Sequence, residues 1–346
     1  MRYKLLGRSG LRVSELSLGT MTFGEEWGWG ADKKTSAAIF DAYASAGGNF
    51  IDTANRYTEG TSEKWVGEFI ARDREHFVLA TKYTLFTKHG DVNGSGNHRK
   101  NMVQAVEASL KRLKTDCIDL YWLHAWDFTT PVDEVMRGLD DLVRAGKILY
   151  IGVSDTPAWI VSRANTMAEL RGWTRFVGLQ IEYSLIERTP EHDLIPMANA
   201  LDIAVTPWAP LGGGLLTGKY SGASREDQPR RMKPDSARMS ERNLRIADAV
   251  IAIAKEVGGS PAQVALNWLR GRPGTMVPIL GARRVEQIED NLGCLSIELS
   301  DAHRERLDEV SAIQPIFPYR FLEKEPIRNI VYAGTREKLD IPPRRE

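Results

Sequence analysis

Asp52, Tyr57, Lys82 and His124 are the residues whose types and placement suggest chemistry. Asp52 closes a short apolar run, Tyr57 follows it by five residues, and Lys82 and His124 stand at the ends of further β-branched or apolar runs. Singly, each has a plain structural reading: an aspartate capping the next turn, a solvated strand end, a satisfied histidine. Brought together they form an acid catalyst, because a buried ammonium beside a phenol favours the phenolate. Charges roughly 4 Å apart at an effective dielectric near 20 interact by about 4 kcal/mol, and about 1.36 kcal/mol is a tenfold change in acidity. Lys82 is therefore expected to bring the Tyr57 phenol down toward neutrality, where a general acid works best, with Asp52 offsetting part of the effect.

The surrounding elements decide whether the four meet. Short β-branched or apolar runs alternate with amphipathic stretches over most of the chain, which is the pattern of βα units and a parallel sheet. After a small opening pair at 3–5 and 11–13, strands are expected at 15–18, 49–52, 77–81, 118–123, 150–153, 178–181, 203–206 and 276–280. Helical patterns fall at 34–46, 62–70, 100–113, 132–145, 157–171, 190–200, 242–257 with 261–270, and 285–292, and 300–313 adds another. Ser260-Pro261 reads as an N-cap followed by proline in the first helical position, and Gly47 and Gly146 read as helix stops. Eight strands, each followed by helix, predict a (β/α)8 TIM barrel with a short N-terminal hairpin, extra helices and a C-terminal tail. The whole chain, 1–346, is expected to be one domain, with the barrel over about 1–313 and the tail over 314–346. A doubly wound sheet would show a glycine-rich turn after its first strand, and no GxGxxG or GxxxxGK[ST] occurs. Two long connections, 90–97 and 220–240, are expected to be mobile or functional.

Chemistry in such a barrel sits at the carboxyl ends of the strands. There the sequence is polar: Gly19-Thr20-Met21, Asp52-Thr53, Lys82-Tyr83, His124, Ser154-Asp155, Gln180, Trp208 and Gly281-Ala282-Arg283. Phe23, Trp27, Trp29, Tyr83, Trp126 and Phe128 lie just past strand ends and are expected to line an aromatic, apolar pocket, which suits an aromatic or medium-sized aldehyde. Composition narrows the field further. The 346 residues carry 46 Lys+Arg against 46 Asp+Glu, and that balance argues against a nucleic-acid partner. No apolar run approaches the roughly 18 residues that span a bilayer, and the first residues lack an apolar signal core, so no membrane partner and a cytoplasmic location are expected. Cys117 and Cys294 have no CxxC partner and read as buried fillers; the six histidines show no HExxH spacing, so no metal site is expected.

The strings Leu16-Ser-Leu-Gly-Thr-Met, Asn49-Phe-Ile-Asp-Thr-Ala-Asn-Arg-Tyr57, Ala80-Thr-Lys82, Asp119-Leu-Tyr-Trp-Leu-His124, Gly152-Val-Ser154, Gln180-Ile-Glu-Tyr183 and Pro207-Trp-Ala-Pro-Leu211 run in order along the chain. They resemble those of the aldo-keto reductases, and the ending from Phe317 to Gly334 looks like that of bacterial members similar to aryl-alcohol dehydrogenases. The resemblance implies NADPH-dependent reduction of an aldehyde or ketone, with Tyr57 as proton donor, Lys82 and Asp52 tuning it, and His124 orienting the carbonyl. It further implies a cofactor site built from Gly19, Thr20, Met21, Asp52, Ser154, Asp155, Gln180, Trp208, Ala209, Pro210 and Leu211. Gly213 and Lys219 would meet the pyrophosphate, and Gly281, Arg283, Gln287, Asp290 and Asn291 the adenosine end, with Arg283 on the 2′-phosphate. Asp155 stands where the family usually has an amide, and Gly281-Ala282 where shorter members often carry Lys-Ser, which leaves more of the phosphate to Arg283. Two other readings compete: an NADPH-binding regulatory subunit like the channel β subunits, with slow turnover, and a Schiff-base aldolase using Lys82, which the Asp52 and Tyr57 neighbours disfavour.

Overall fold

A computed structural model describes residues 1–220 and 236–340. The expected long connection at 220–240 lies for the most part outside the described residues, as do the last six residues of the tail. Strands β1 (Tyr3–Leu5) and β2 (Arg12–Ser14) form an antiparallel pair. Then follow β3 (Ser17–Gly19), α1 (Lys33–Ser45), β4 (Phe50–Asp52), α2 (Thr61–Ile70), β5 (Val78–Tyr83), α3 (Arg99–Leu113), β6 (Ile118–Leu123) and α4 (Val132–Arg144). The second half continues with β7 (Ile148–Ser154), α5 (Ala158–Arg171), β8 (Phe176–Glu182), α6 (Leu194–Ala200), β9 (Ala204–Trp208), α7 (Glu241–Val257), α8 (Pro261–Arg270), β10 (Ile279–Gly281) and α9 (Val285–Leu292). Helices α10 (Asp301–Val310), α11 (Tyr319–Leu322) and α12 (Glu325–Val331) end the described chain.

Strands β3 to β10 form one parallel sheet in the order β10-β3-β4-β5-β6-β7-β8-β9. The sheet closes just before β10: Val205 donates to the Thr275 carbonyl at 2.8 Å and accepts from the Val277 amide at 2.9 Å. This is the expected (β/α)8 barrel with its hairpin. Period-two alternation splits its apolar residues into two layers. Phe50, Val78, Ala80, Leu120 and Trp122 cluster with Leu6 and Val13 of the hairpin region, inside the barrel. Ile51, Leu79, Tyr121, Leu123, Ile151, Val153 and Leu179 belong to the larger outer layer that the helices cover. Helix α4 shows why: its buried Val132, Val135, Met136, Leu139 and Leu142 fall at spacings of three and four, one stripe facing the sheet.

Helix ends follow local chemistry. Ser260 and Gln263 form a reciprocal capping box at α8, and Ser300 with His303 forms one at α10. Proline cuts back two of the expected elements. The expected helix 190–200 splits into a 3-10 turn (Thr189–His192) and α6, because Pro196 has no N–H to bond His192 and carry one helix through. The expected strand 276–280 narrows to β10 at Ile279–Gly281, since Pro278 interrupts the donor ladder after Met276. Cys294 is buried as expected, whereas Cys117 is half-buried at the foot of β6. No described helix is long and apolar enough to cross a membrane.

The barrel interior has little room beside Trp122. A Cβ on Gly152 would stand 2.2 Å from its ring, and one on Gly178 2.7 Å. Gly152→Ala is therefore expected to destabilise the fold by about 1–3 kcal/mol, as overpacked cores do. Urea denaturation measures this, and an unchanged midpoint would show that the indole can move aside.

Candidate active site

Register brings the polar residues to one rim. Gly19 pairs with Asp52, Asp52 with Ala80, Lys82 with Trp122, Ser154 with Gln180 and Gln180 with Thr206. Inward positions along each strand then place Asp52, Lys82, His124, Ser154 and Gln180 at the carboxyl end of the barrel. Backbone strain gathers just beyond the same ends. Thr58, Glu59, Thr84, Asp155 and Ala209 all have left-handed φ, between 40° and 96°.

Lys82 is fully buried. Its Nζ donates to Asp52 Oδ2 at 2.5 Å, to the Thr53 carbonyl at 2.8 Å and to the Tyr57 hydroxyl at 3.1 Å. All three ammonium hydrogens are thus spent, and an ammonium accepts nothing. The Tyr57 oxygen receives one of them, so its own proton must point elsewhere. Asp52 is committed too, because its Oδ1 accepts from Gln180 Nε2 at 3.0 Å. His124 meets the Tyr57 ring edge-on, with centroids 5.9 Å apart. The Thr84 hydroxyl accepts from the His124 backbone N–H at 3.3 Å.

Electrostatics depart from expectation at Tyr57. Burial holds its phenol above the ordinary value, and the Asp52 charge adds to the rise; Lys82 pulls the other way without overcoming them. Burial also opposes the charge of Lys82, but Asp52 and Tyr57 together hold its ammonium above the usual value. His124 is held well below its ordinary value by burial and by the charge of Lys82, so the imidazole is neutral at neutral pH. Its Nδ1 is buried without a hydrogen-bond partner among the described residues. The site therefore presents a neutral phenol and a neutral imidazole backed by a closed ion pair.

A cleft of about 1770 Å³ opens over these groups. It runs from Tyr57, His124 and Trp27 past Ser154, Asp155, Gln180 and Trp208 to Lys219, Arg283, Gln287 and Asn291. A family model for the aldo/keto reductases matches residues 15–312. The chain belongs to the aldo/keto reductase family.

Curated relatives agree with that membership. The chain is 38% identical to a norsolorinic acid reductase of Aspergillus flavus, over 94% of this chain and 84% of the relative. It is 37% identical to an aryl-alcohol dehydrogenase [NADP(+)] of Phanerodontia chrysosporium, over 95% and 91%, and 38% identical to norsolorinic acid reductase B of Dothistroma septosporum, over 93% and 84%. These three are fungal, and the bacterial part of the expected likeness finds no support among them. Family and relatives make this chain an oxidoreductase of carbonyl compounds.

Within this aldo/keto reductase most of the expected residues line the cleft: Gly19, Met21, Asp52, Ala209, Pro210, Leu211, Gly213, Gly281 and Asp290 join those already named. Thr20 does not. It is fully buried, and its hydroxyl donates to the Asp52 carbonyl at 3.0 Å, so it holds the strand end. Asp290 is largely engaged already, accepting from Ser260 Oγ at 2.9 Å and Gln263 Nε2 at 3.1 Å. Gln287 accepts from the Arg283 backbone N–H at 2.9 Å. Burial raises the carboxyl of Asp155, whose Oδ1 accepts from Trp208 Nε1 at 3.1 Å.

The aromatic expectations divide. Trp27 lines the cleft. Phe23 is fully buried against Phe69, and Tyr83 is fully buried and stacked on Tyr121 at 5.2 Å, both in the outer layer. Tyr83 follows the inward-facing Lys82 on β5, and pleating turns it away from the rim. Trp126 packs at the edge of the outer layer, and neither it, Trp29 nor the exposed Phe128 is a cleft wall. Arg56, Leu85, Arg238, Lys255 and Arg284 line the cleft without having been expected. Arg56 was legible from its place next to Tyr57; Arg238 closes on Glu182 at 2.5 Å across a span the sequence does not reveal.

The buried pair sets a stability test. Lys82→Met strands the Asp52 carboxylate and is expected to cost about 3–5 kcal/mol in a denaturant titration. The double change Lys82→Met with Asp52→Asn should recover part of that loss; no recovery would mean that packing, not charge pairing, is what Lys82 supplies.

Proposed function

We propose that this protein is an NADPH-dependent reductase of aldehydes or ketones, acting on an aromatic or medium-sized carbonyl compound with Tyr57 as the proton donor. The observation that carries the reading is the contact of the Lys82 ammonium with the Tyr57 oxygen at 3.1 Å. With Lys82 donating to the phenol oxygen, the phenol hydrogen is left to face the cleft. A carbonyl oxygen there would accept it, and the neutral imidazole of His124, its Nδ1 unpartnered, would donate from Nε2 to the same oxygen. The alkoxide charge that develops at that oxygen is stabilised by the two donors and by the ammonium behind Tyr57.

The residues present fit a nicotinamide dinucleotide, which would supply the hydride when bound. Trp208 offers a ring face beside Ser154, Asp155 and Gln180. Gly212, Gly213 and Gly214 take left-handed φ in succession. A Cβ on Gly214 would stand 2.8 Å from Lys219 Nζ, so the bare backbone admits a cation where a pyrophosphate is expected. Arg283 has no ion-pair partner among the described residues, which suits it to a 2′-phosphate. The name of the Phanerodontia relative points the same way in cofactor and in the aryl character of the substrate.

The high phenol value changes the expected pH behaviour. The acid form persists as pH rises through neutrality, so kcat/KM for reduction should stay flat there and fall only in the alkaline range. Alcohol oxidation, which needs the phenolate, should climb over that same range; a reduction profile falling near neutrality would contradict the assignment.

Tyr57→Phe is expected to lower kcat by about 10² to 10⁴ while NADPH still binds with its original Kd. Turnover near that of the unmodified protein would sink the proton-donor role. Arg283→Ala should raise KM for NADPH far more than for NADH, and equal effects would show that the 2′-phosphate is read elsewhere. Comparable kcat/KM for benzaldehydes and a charged sugar aldehyde would defeat the substrate class.

A further inference from the structure

The turn that carries Tyr57 also carries a charged pair with no part in the proton relay. Arg56 precedes the tyrosine and Glu59 follows it by two residues; the two side chains form an ion pair. Thr58, Glu59 and Gly60 have φ of 45°, 55° and 89°, a left-handed run that folds Glu59 back toward the loop after β3. There Glu59 Oε1 accepts from the Trp27 indole N–H at 3.2 Å. The Arg56 guanidinium lies over the Trp27 ring at 5.7 Å and over Phe86 at 4.6 Å. One indole is therefore held through its N–H by the acid and over its ring by the base. Its other neighbours are Trp29, at 5.7 Å, and Tyr57 itself, edge-on at 6.4 Å.

Loop and turn are further joined as one unit. Thr58 Oγ1 donates to the Phe23 carbonyl at 2.6 Å, Thr61 donates to Glu26, and a Cβ on Gly24 would stand 2.6 Å from Thr58. Trp27 and Arg56 line the cleft beside Tyr57 and His124, while Glu59 stands behind them, about half exposed. An exposed ion pair alone is worth little. Here, however, both partners also grip the same aromatic ring, and a side chain fixed before binding loses less freedom when a ligand packs on it.

We propose that Arg56 and Glu59 are positioning residues that fix the Trp27 indole as a rigid wall for the ring of an aryl carbonyl substrate, setting a preference for aryl over alkyl carbonyls. This rests on the reading of Tyr57 as proton donor to a carbonyl. Neither residue needs to touch the reacting group: the wall aligns the aryl ring, and Tyr57, one residue from Arg56, meets the carbonyl the ring carries. Arginine is suited to the place because its planar cation can stack between Trp27 and Phe86 while its edge pairs with a carboxylate.

The test compares steady-state reduction of benzaldehyde and butanal by the full chain and by Arg56→Met, Glu59→Gln, Trp27→Leu and the combinations of each with Trp27→Leu. Expected is a roughly tenfold rise in KM for benzaldehyde in Arg56→Met, a smaller rise in Glu59→Gln, kcat within about twofold, and in both a change in butanal KM well below that for benzaldehyde. In the Trp27→Leu background neither substitution should alter benzaldehyde KM further, because the ring they hold is gone. Equal losses for both aldehydes, or a fall in kcat with KM intact, would show a general disturbance of the Tyr57 turn and overturn the clamp. Additive effects in the Trp27→Leu background would overturn it as well. Absence of turnover with any carbonyl in the unmodified protein would instead refute the reductase reading itself, and the clamp with it.

Discussion

Every feature of the rim is arranged around one buried ammonium. Lys82 sits where water cannot reach it, and a lone cation there would lose its proton or unfold the barrel. Three acceptors from β4 and the turn after it prevent this: a carboxylate, a backbone carbonyl and a phenol oxygen. Because the donors are exhausted, the geometry dictates where each neighbour's remaining valence points. Asp52 turns its second oxygen to Gln180, which ties β4 to the opposite strand β8. Tyr57 keeps a hydrogen with no place in the network except the cleft. The site is thus oriented by satisfaction of one charge.

The barrel supplies what that charge requires. Parallel strands with inward residues in register put β4, β5 and β8 side chains within hydrogen-bonding reach, and the outer layer of Ile51, Leu79, Leu123 and Val153 fixes the register by burial on the other face. Thr20, Thr53 and Ser62 lock the strand ends with hydroxyl bonds of 2.8 to 3.0 Å. The strained residues past those ends are tolerable because the strands beneath cannot shift. Thr84, at φ 96°, is a β-branched residue in an unfavourable conformation, yet its hydroxyl bonds both Asn97 and the His124 backbone.

Sequence periodicity made much of this legible. Alternation and turn chemistry located all eight barrel strands to within a few residues, and the polar strand ends located Asp52, Lys82, His124, Ser154 and Gln180. Where the reading failed, a property of depth or parity was at stake. Tyr83 adjoins Lys82, so one of them must face outward, and the pleat gives the rim to the lysine. Phe23 lies in a loop without a period, and nothing in its neighbours marks it as core. The acidity of Tyr57 was judged from its charged neighbours, which sequence reveals; the larger effect is burial, which only the folded chain reveals. Arg56 stands next to Tyr57 and is legible from that place alone; its pairing with Glu59 around Trp27 is not, because Trp27 comes from another loop.

The acceptors at the end of β7 and β8 carry a consequence for the proposed cofactor. Gln180 spends one amide hydrogen on Asp52, and its amide oxygen has no donor among the described residues. Asp155, when ionised, also accepts and cannot donate, and one of its oxygens is taken by Trp208. One oxygen on each residue is left without a donor, which calls for a ligand group that brings hydrogens, and the NH₂ of a nicotinamide carboxamide brings two. Ser154 remains as the adaptable partner, since a hydroxyl can donate to the carboxamide oxygen as readily as accept. An amide in place of Asp155 would give that end both a donor and an acceptor. The aspartate, when ionised, would instead restrict a bound nicotinamide to one orientation of its carboxamide and would set a negative charge beside the ring, an arrangement that suits the positively charged, oxidised ring better than the neutral, reduced one.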